Sequence, residues 1–408
     1  MLYEFWQNFT HNLFKPLLLF FYFGFLIPIL KVRFEFPYVI YQGLTMYLLV
    51  AIGWQGGEEL AKIQPADIDN IAGFVALGFA LNFVIGALSY VLLKYLTRMR
   101  RVDRATVAGY YGSDSAGTFA TCVAVLTSIG IAFNAYMPVL LAIMEIPGCL
   151  VALYLVARLR HKGMDDAGFM PDEPGYAAVA KVGPGAAAGR QLSESSAAQS
   201  ERGVEQELEF SLEKREHPEW YEATQERGPA PLWSREILQE VFLNPGLILL
   251  IGGIAIGFIS AIQGQKVVHD QNEFFVAAFQ GVLCLFLLEM GMTASRTLRD
   301  VKSAGGGFIF FGLLAPNLFA TLGILLAYSY ADLTDTHFQP GTYVLFAVLC
   351  GAASYITVPA VQRLGIPEAS PTLPLAASLG LTFSYNVTIG IPLYIEINRA
   401  VAHWFPGI

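Results

Sequence analysis

Long apolar runs separated by short polar connections dominate this chain. A helix that crosses a bilayer needs about 20 mainly apolar residues. Runs of that kind lie near 13–30, 37–54, 71–93, 105–129 and 135–157. After a long polar stretch a second set follows near 243–263, 274–294, 306–329, 341–362 and 373–396. The pattern predicts an all-α integral membrane protein with ten transmembrane helices. The runs are far too long for the strands of a membrane barrel. The first run does not read as a cleaved signal peptide, because no Lys or Arg precedes Lys15 and no small-residue cleavage site follows.

Composition agrees with the pattern. The 408 residues are 55% hydrophobic and only 14% charged, against about 25% charged in a typical soluble domain. The net charge of −8 is local: 16 acidic and 9 basic residues fall between Leu159 and Glu240, and the remainder holds 17 against 16. No basic patch points to nucleic acid. The four cysteines are far apart and lie in apolar runs, and the six histidines fall near termini or in loops. Neither has metal-ligand spacing, which argues against a zinc enzyme. No cofactor is expected from this composition.

Basic residues set the expected orientation. Connections after runs 1, 3, 7 and 9 carry Lys31 and Arg33; Lys94, Arg98, Arg100, Arg101 and Arg104; Arg296, Arg299 and Lys302; and Arg363. The alternate connections carry only Lys62 and Lys266. Both termini are therefore expected outside, with the long central loop cytoplasmic. The chain divides into a first five-helix repeat (1–158), the loop (159–240) and a second, inverted repeat (241–408). The loop is rich in Ala, Gly, Ser and Glu (GPGAAAGRQLSESSAAQSERG), a composition that buries too little apolar surface to offset ordering entropy. Its end, PLWSREILQEVF, places Leu232, Trp233, Ile237, Leu238, Val241 and Phe242 at roughly helical spacing. That spacing predicts an amphipathic surface helix, or else a mere turn before the next span.

An odd number of spans in each half requires that the second half be inverted. AIGWQGGEEL in run 2 and LEMGMTASRTL in run 7 align Gly53 with Gly291 and Leu60 with Leu298. Runs 4 and 9 are both interrupted, by GSDSAGT and by GAASYITVPA. Inverted-repeat transporters bind substrate near the midplane, where broken helices present their ends. A half-helix N-terminus offers free N–H groups and about half a positive charge, so two facing ends make a small-anion site. Gly112, Ser113, Ser115, Gly117 and Thr118 at the first break, with Ser354, Tyr355 and Thr357 at the second, are the candidate substrate-binding residues. Pro359 suits the first turn of a resumed helix. The competing reading is that these small residues simply let helices pack closely. Ser115 also resembles an imperfect nucleophile elbow, but Ser113 replaces the required Gly and no intramembrane His or Lys serves as base. No enzyme activity is expected.

Asp114, Glu145 and Glu289 lie within the runs, and a carboxylate at bilayer depth is a functional candidate by default. Two roles fit Asp114 equally: holding a cation beside the anion, or capping the half-helix that starts near Ser115. Glu145 precedes Pro147, and Glu289 lies near a span end. Thr382, Ser384, Asn386 and Thr388 form a polar stripe in the last run. Asp114, Glu145, Asn386 and Thr382 are the candidate sodium-binding residues.

These stretches resemble the sodium-dependent bicarbonate transporter family (SbtA-like permeases) as a divergent bacterial member. The resemblance is densest in IGWQGG, GSDSAGTFA, MEIP, LLEMGM, GIPEASPTLPLAASLG and IGIPLYI. It implies bicarbonate held between the two breaks with coupled sodium, and a homotrimer in the bacterial cytoplasmic membrane. It also implies a PII-like trimeric nucleotide-binding regulator on the cytoplasmic face. The chain departs from the family pattern at Tyr355, which stands where the family has Asp, and at Asp114, where the family is apolar. Glu145 stands at a family Asp. Import of another small anion such as a carboxylate, and a transport-inactive receptor for the regulator, are the alternative functions.

Overall fold

The computed structural model describes residues 15–34, 36–64, 68–176, 233–301 and 305–405. Among these residues the fold is entirely helical. Most of the central loop, including Leu232 and the Ser/Ala/Glu-rich stretch expected to be flexible, lies outside them.

The first half contributes α1 (Pro16–Ile29), α2 (Tyr38–Leu60) and α3 (Ile68–Leu96). The fourth run forms two helices, α4 (Arg101–Tyr111) and α5 (Ala116–Ser128), and the fifth forms α6 (Met137–Met144) and α7 (Ile146–His161). A short helix, α8 (Arg235–Phe242), precedes α9 (Pro245–Gln263). Next come α10 (Gln265–Asn272), a π-helical turn (Glu273–Ala277), α11 (Phe279–Val301) and α12 (Gly306–Thr334). The ninth run is again split, into α13 (Pro340–Gly351) and α14 (Thr357–Gly365). The last comprises α15 (Thr372–Leu375), π-helical stretches Ala376–Phe383 and Asn386–Gly390, and α16 (Ile391–Ala402). Among the described residues, five helical segments are long and apolar enough to cross a membrane, and α1 and α13 are shorter apolar helices. The chain is a multi-pass membrane protein.

Several expectations are refined. The connection between the sixth and seventh runs is itself helical, through α10, and the seventh run opens with the π-helical turn. The tenth run is largely π-helical, a feature that apolar periodicity does not announce. The amphipathic end of the loop is a helix and not a mere turn. Ser234 caps α8 by accepting the Ile237 N–H, and Ile237 and Val241 are buried, while Trp233 and Phe242 face outward. The buried pair joins a cluster with Val102, Val156, Val358 and Val361 from α4, α7 and α14.

Glycine governs two crossings. Gly53 and Gly57 of α2 meet Gly253 and Gly257 of α9, with the Gly53 and Gly253 backbones so close that a Cβ on Gly53 would lie 3.0 Å from the Gly253 Cα. Gly24 of α1 lies against the Leu288 backbone of α11, and Gly291 of α11 lies against Phe21 and Phe25 of α1. Lipid tails are as apolar as the helix surfaces, so close backbone approach and van der Waals contact hold such pairs together. Gly53 therefore lies where the second run meets the sixth, and Gly291 where the seventh meets the first. The split helices cross in the same paired manner, α4 against α14 and α5 against α13.

Candidate functional site

The two helix breaks lie side by side in the buried interior. α4 ends at Gly112, whose N–H reaches the Ala108 carbonyl. Ser113, Asp114 and Ser115 follow, all buried. Ser115 is the N-cap of α5: its backbone is extended and its Oγ accepts the Thr118 N–H at 3.3 Å, while the Thr118 hydroxyl donates to the same Oγ at 2.9 Å. The capping role considered for Asp114 therefore belongs to Ser115, as expected of a hydroxyl placed one residue before a helix. On the other side, residues 352–356 separate α13 from α14, and Thr357 opens the resumed helix with Pro359 in its first turn.

Direct contacts join the breaks. The Ser354 N–H donates to the Tyr110 carbonyl at 2.8 Å, and the Tyr110 hydroxyl donates to Gln362 Oε1 at 2.9 Å. Tyr355 extends across to the first break, where its hydroxyl approaches Ser115 and Gly117. A Cβ on Gly117 would overlap that hydroxyl, so the close approach requires glycine there. Tyr355 also packs edge-on against Phe383, with ring centroids 5.5 Å apart, and Phe286 closes the other side of Gly117.

Glu145, in the interruption between α6 and α7, links both breaks. Its carboxylate accepts the Thr357 hydroxyl, and its main-chain carbonyl accepts the Ser113 hydroxyl at 2.5 Å. Pro147 cannot supply the N–H that would continue the helical ladder here, and side chains take up carbonyls around the interruption: Asn82 of α3 donates to the Met144 carbonyl at 2.6 Å. Asp114 and Glu145 are close enough for their charges to interact, and Asp114 also faces Cys350 of α13.

Asp114 itself has zero exposure, and neither carboxylate oxygen has a hydrogen-bond partner among the described residues. The Ser354 hydroxyl and the Tyr355 hydroxyl, both buried, likewise lack a partner of good geometry there. Leaving such groups unsatisfied costs about 1–3 kcal/mol each, more for a charge. Unpaired acceptors and donors gathered between two helix N-termini have the chemistry to take a small anion together with a cation.

The remaining candidates hold the frame. Gly112 packs against Asn82, Gly86 and Gly148. The Asn386 amide makes two buried bonds: Nδ2 donates to the Gly351 carbonyl at the end of α13 (2.9 Å), and Oδ1 accepts the Tyr394 hydroxyl (2.6 Å). Thr382 bonds the Tyr111 hydroxyl at 2.6 Å and the Gly312 carbonyl at 3.1 Å. Both therefore brace the ends of α13 and α4, beside the breaks. Glu289 lies elsewhere, accepting the Thr293 hydroxyl one turn along α11. Sequence reasoning missed Asn82, Tyr110 and Gln362. A lone Asn in the apolar run ALNFVIG was the available signal for the first. Nothing local marks the other two, which bond each other across 252 residues.

The family model of the Na+-dependent bicarbonate transporter superfamily matches residues 16–399 of the chain. No curated protein matches it.

Proposed function

The chain belongs to the Na+-dependent bicarbonate transporter superfamily, and from that premise we propose that it imports bicarbonate coupled to sodium by alternating access around the paired breaks. The observation that carries this reading is the buried, unpartnered carboxylate of Asp114 between two half-helix N-termini. In the bound state, sodium lies at Asp114 and Glu145, and bicarbonate accepts from first-turn N–H groups of α5 and α14 and from the Ser115, Ser354 and Tyr355 hydroxyls. The cation offsets the repulsion between Asp114 and the anion. A tenfold sodium gradient contributes about 1.4 kcal/mol per ion. One sodium with one bicarbonate moves no net charge, so membrane potential drives import only at a higher ratio.

The architecture in this reading is ten spans in two inverted five-helix halves. Its support is the correspondence of the glycine crossings, α2 on α9 and α11 on α1, and of the two split helices. Those two glycine pairs form one body, and the helices that carry the breaks form the other. Movement of one body against the other exposes the site to alternate sides. The gathering of Arg100, Arg101 and Arg160 with their carboxylate partners at one end supports a cytoplasmic assignment for that end and for the central loop. The same reading carries a homotrimer in the bacterial cytoplasmic membrane and a PII-like regulator docking at the cytoplasmic face.

Tyr355 favours a second reading. Its ring fills space beside Gly117 and Phe383, which suits an anion other than bicarbonate, such as a small carboxylate. Labelled bicarbonate uptake into proteoliposomes, under an inward sodium gradient and under an equal potassium gradient, separates the readings. Sodium-dependent uptake that unlabelled small carboxylates do not inhibit supports bicarbonate. Inhibition by a carboxylate moves the assignment to that anion, and folded protein without flux leaves only the receptor role.

A further inference from the structure

At the polar end of α7, a cavity of about 410 Å³ opens between that helix and the start of α8, lined by Tyr154, Ala157, Arg158, His161, Lys162 and Trp233. Its chemistry is layered. Tyr154, 53% exposed, lies deepest along α7, and Arg158 sits one turn further out with its guanidinium 5.9 Å from the Tyr154 ring. His161, the last residue of α7, lies about 10 Å beyond Tyr154 at 1.5 Å per residue, and Lys162 follows it. Trp233, 54% exposed, forms the opposite wall.

Arg160, on the other face of α7, is held by both oxygens of Glu368, and Arg100 and Arg101 are paired with Asp103 and Asp172. Arg158, His161 and Lys162 have no carboxylate partner among the described residues. The C-terminal carbonyls of α7 favour cations in that last turn, which holds them at the mouth of the cavity.

We propose that this cavity is a binding site for the head group of an anionic phospholipid. Aromatic groups at glycerol depth and cations at phosphate depth reproduce the order of polarity in a membrane leaflet. A freely soluble phosphate would have no use for the deeper Tyr154 and Ala157 wall. The site is separate from the helix breaks, and its occupancy does not depend on which anion is transported.

The test uses the full-length chain in phosphatidylcholine vesicles containing phosphatidylglycerol with a nitroxide near the head of one acyl chain. Trp233 fluorescence is isolated by subtracting the Trp233→Phe signal. The nitroxide lipid is expected to quench Trp233. The double variant Arg158→Gln, Lys162→Gln should weaken that quenching at least about tenfold in lipid concentration, given two surface cations lost. Lys94→Gln removes an exposed cation beside Tyr95 outside this cavity and should leave quenching unchanged. Equal loss in the double variant and in Lys94→Gln would overturn the site in favour of diffuse attraction. Displacement by inorganic phosphate would overturn it in favour of a free-anion site, and quenching unaffected by the double substitution would overturn it outright.

Discussion

The Glu145 carboxylate accepts the hydroxyl of Thr357, the first residue of α14. This bond ties the interruption in one half of the chain to the resumed helix of the other, 212 residues away. Through the Ser113 hydroxyl on the Glu145 carbonyl, the same residue also holds the first break.

Thr357→Val keeps the shape of the side chain and removes the donor, leaving a buried carboxylate oxygen short of a partner. The expected cost is about 1–3 kcal/mol, seen as a lower thermal midpoint in detergent. A raised half-saturating sodium concentration for uptake should accompany it. Thr357→Ser retains the hydroxyl and should stay near the parent on both readouts.

Gly117→Ala would drive a methyl group into the Tyr355 hydroxyl and toward Phe286. Overpacking of this kind costs typically about 1–3 kcal/mol, and uptake should fall steeply. Adding Tyr355→Phe removes the oxygen that the methyl group meets, so the double variant should recover part of the lost stability. The full thermodynamic cycle, measured by thermal unfolding, should show coupling above about 0.5 kcal/mol.

The glycine crossings predict a sharp contrast among neighbours on one helix. Gly257→Ala places its Cβ on the Trp54 backbone, whereas Gly252 has open space around the same position. Thermal unfolding should show a drop of several degrees for the first and none for Gly252→Ala, which exchanges a weak helix former for a strong one.

Burial raises the proton affinity of the Glu240 carboxyl on α8. A carboxyl with a raised folded pKa favours the fold when protonated, so its contribution is full below the ordinary Glu value of about 4.3 and declines as pH rises through the shifted range. Glu240→Gln should flatten that part of the pH dependence of unfolding and strengthen the docking of α8 at neutral pH. Limited proteolysis just before Ser234 checks the latter.

Much of this arrangement was legible in the residues themselves. Long apolar runs announced a multi-pass helical membrane protein, and the Gly, Ser and Asp clusters GSDSAGT and GAASYITVPA marked the positions where two of the helices break. Gly53 and Gly291, aligned in the sequence, both lie at close helix contacts. Other features depend on contacts that no local pattern encodes. Asn386 and Thr382 read as ion ligands from their place in a polar stripe, yet tertiary packing sets their amide and hydroxyl against backbone carbonyls at Gly351 and Gly312. The π-helical stretches at 376–383 and 386–390 were hidden as well, because their composition suits an ordinary helix. The choice between Ser115 and Asp114 as cap was a matter of one residue, finer than sequence patterns resolve.

The most direct test of the central claim is radioactive sodium binding to the purified chain, with and without bicarbonate, comparing the parent with Asp114→Asn. Saturable sodium binding that bicarbonate strengthens, and that Asp114→Asn abolishes while the thermal midpoint holds or rises, is the predicted result. Sodium binding of equal affinity in the folded Asp114→Asn protein would contradict the account and place the coupling ion elsewhere.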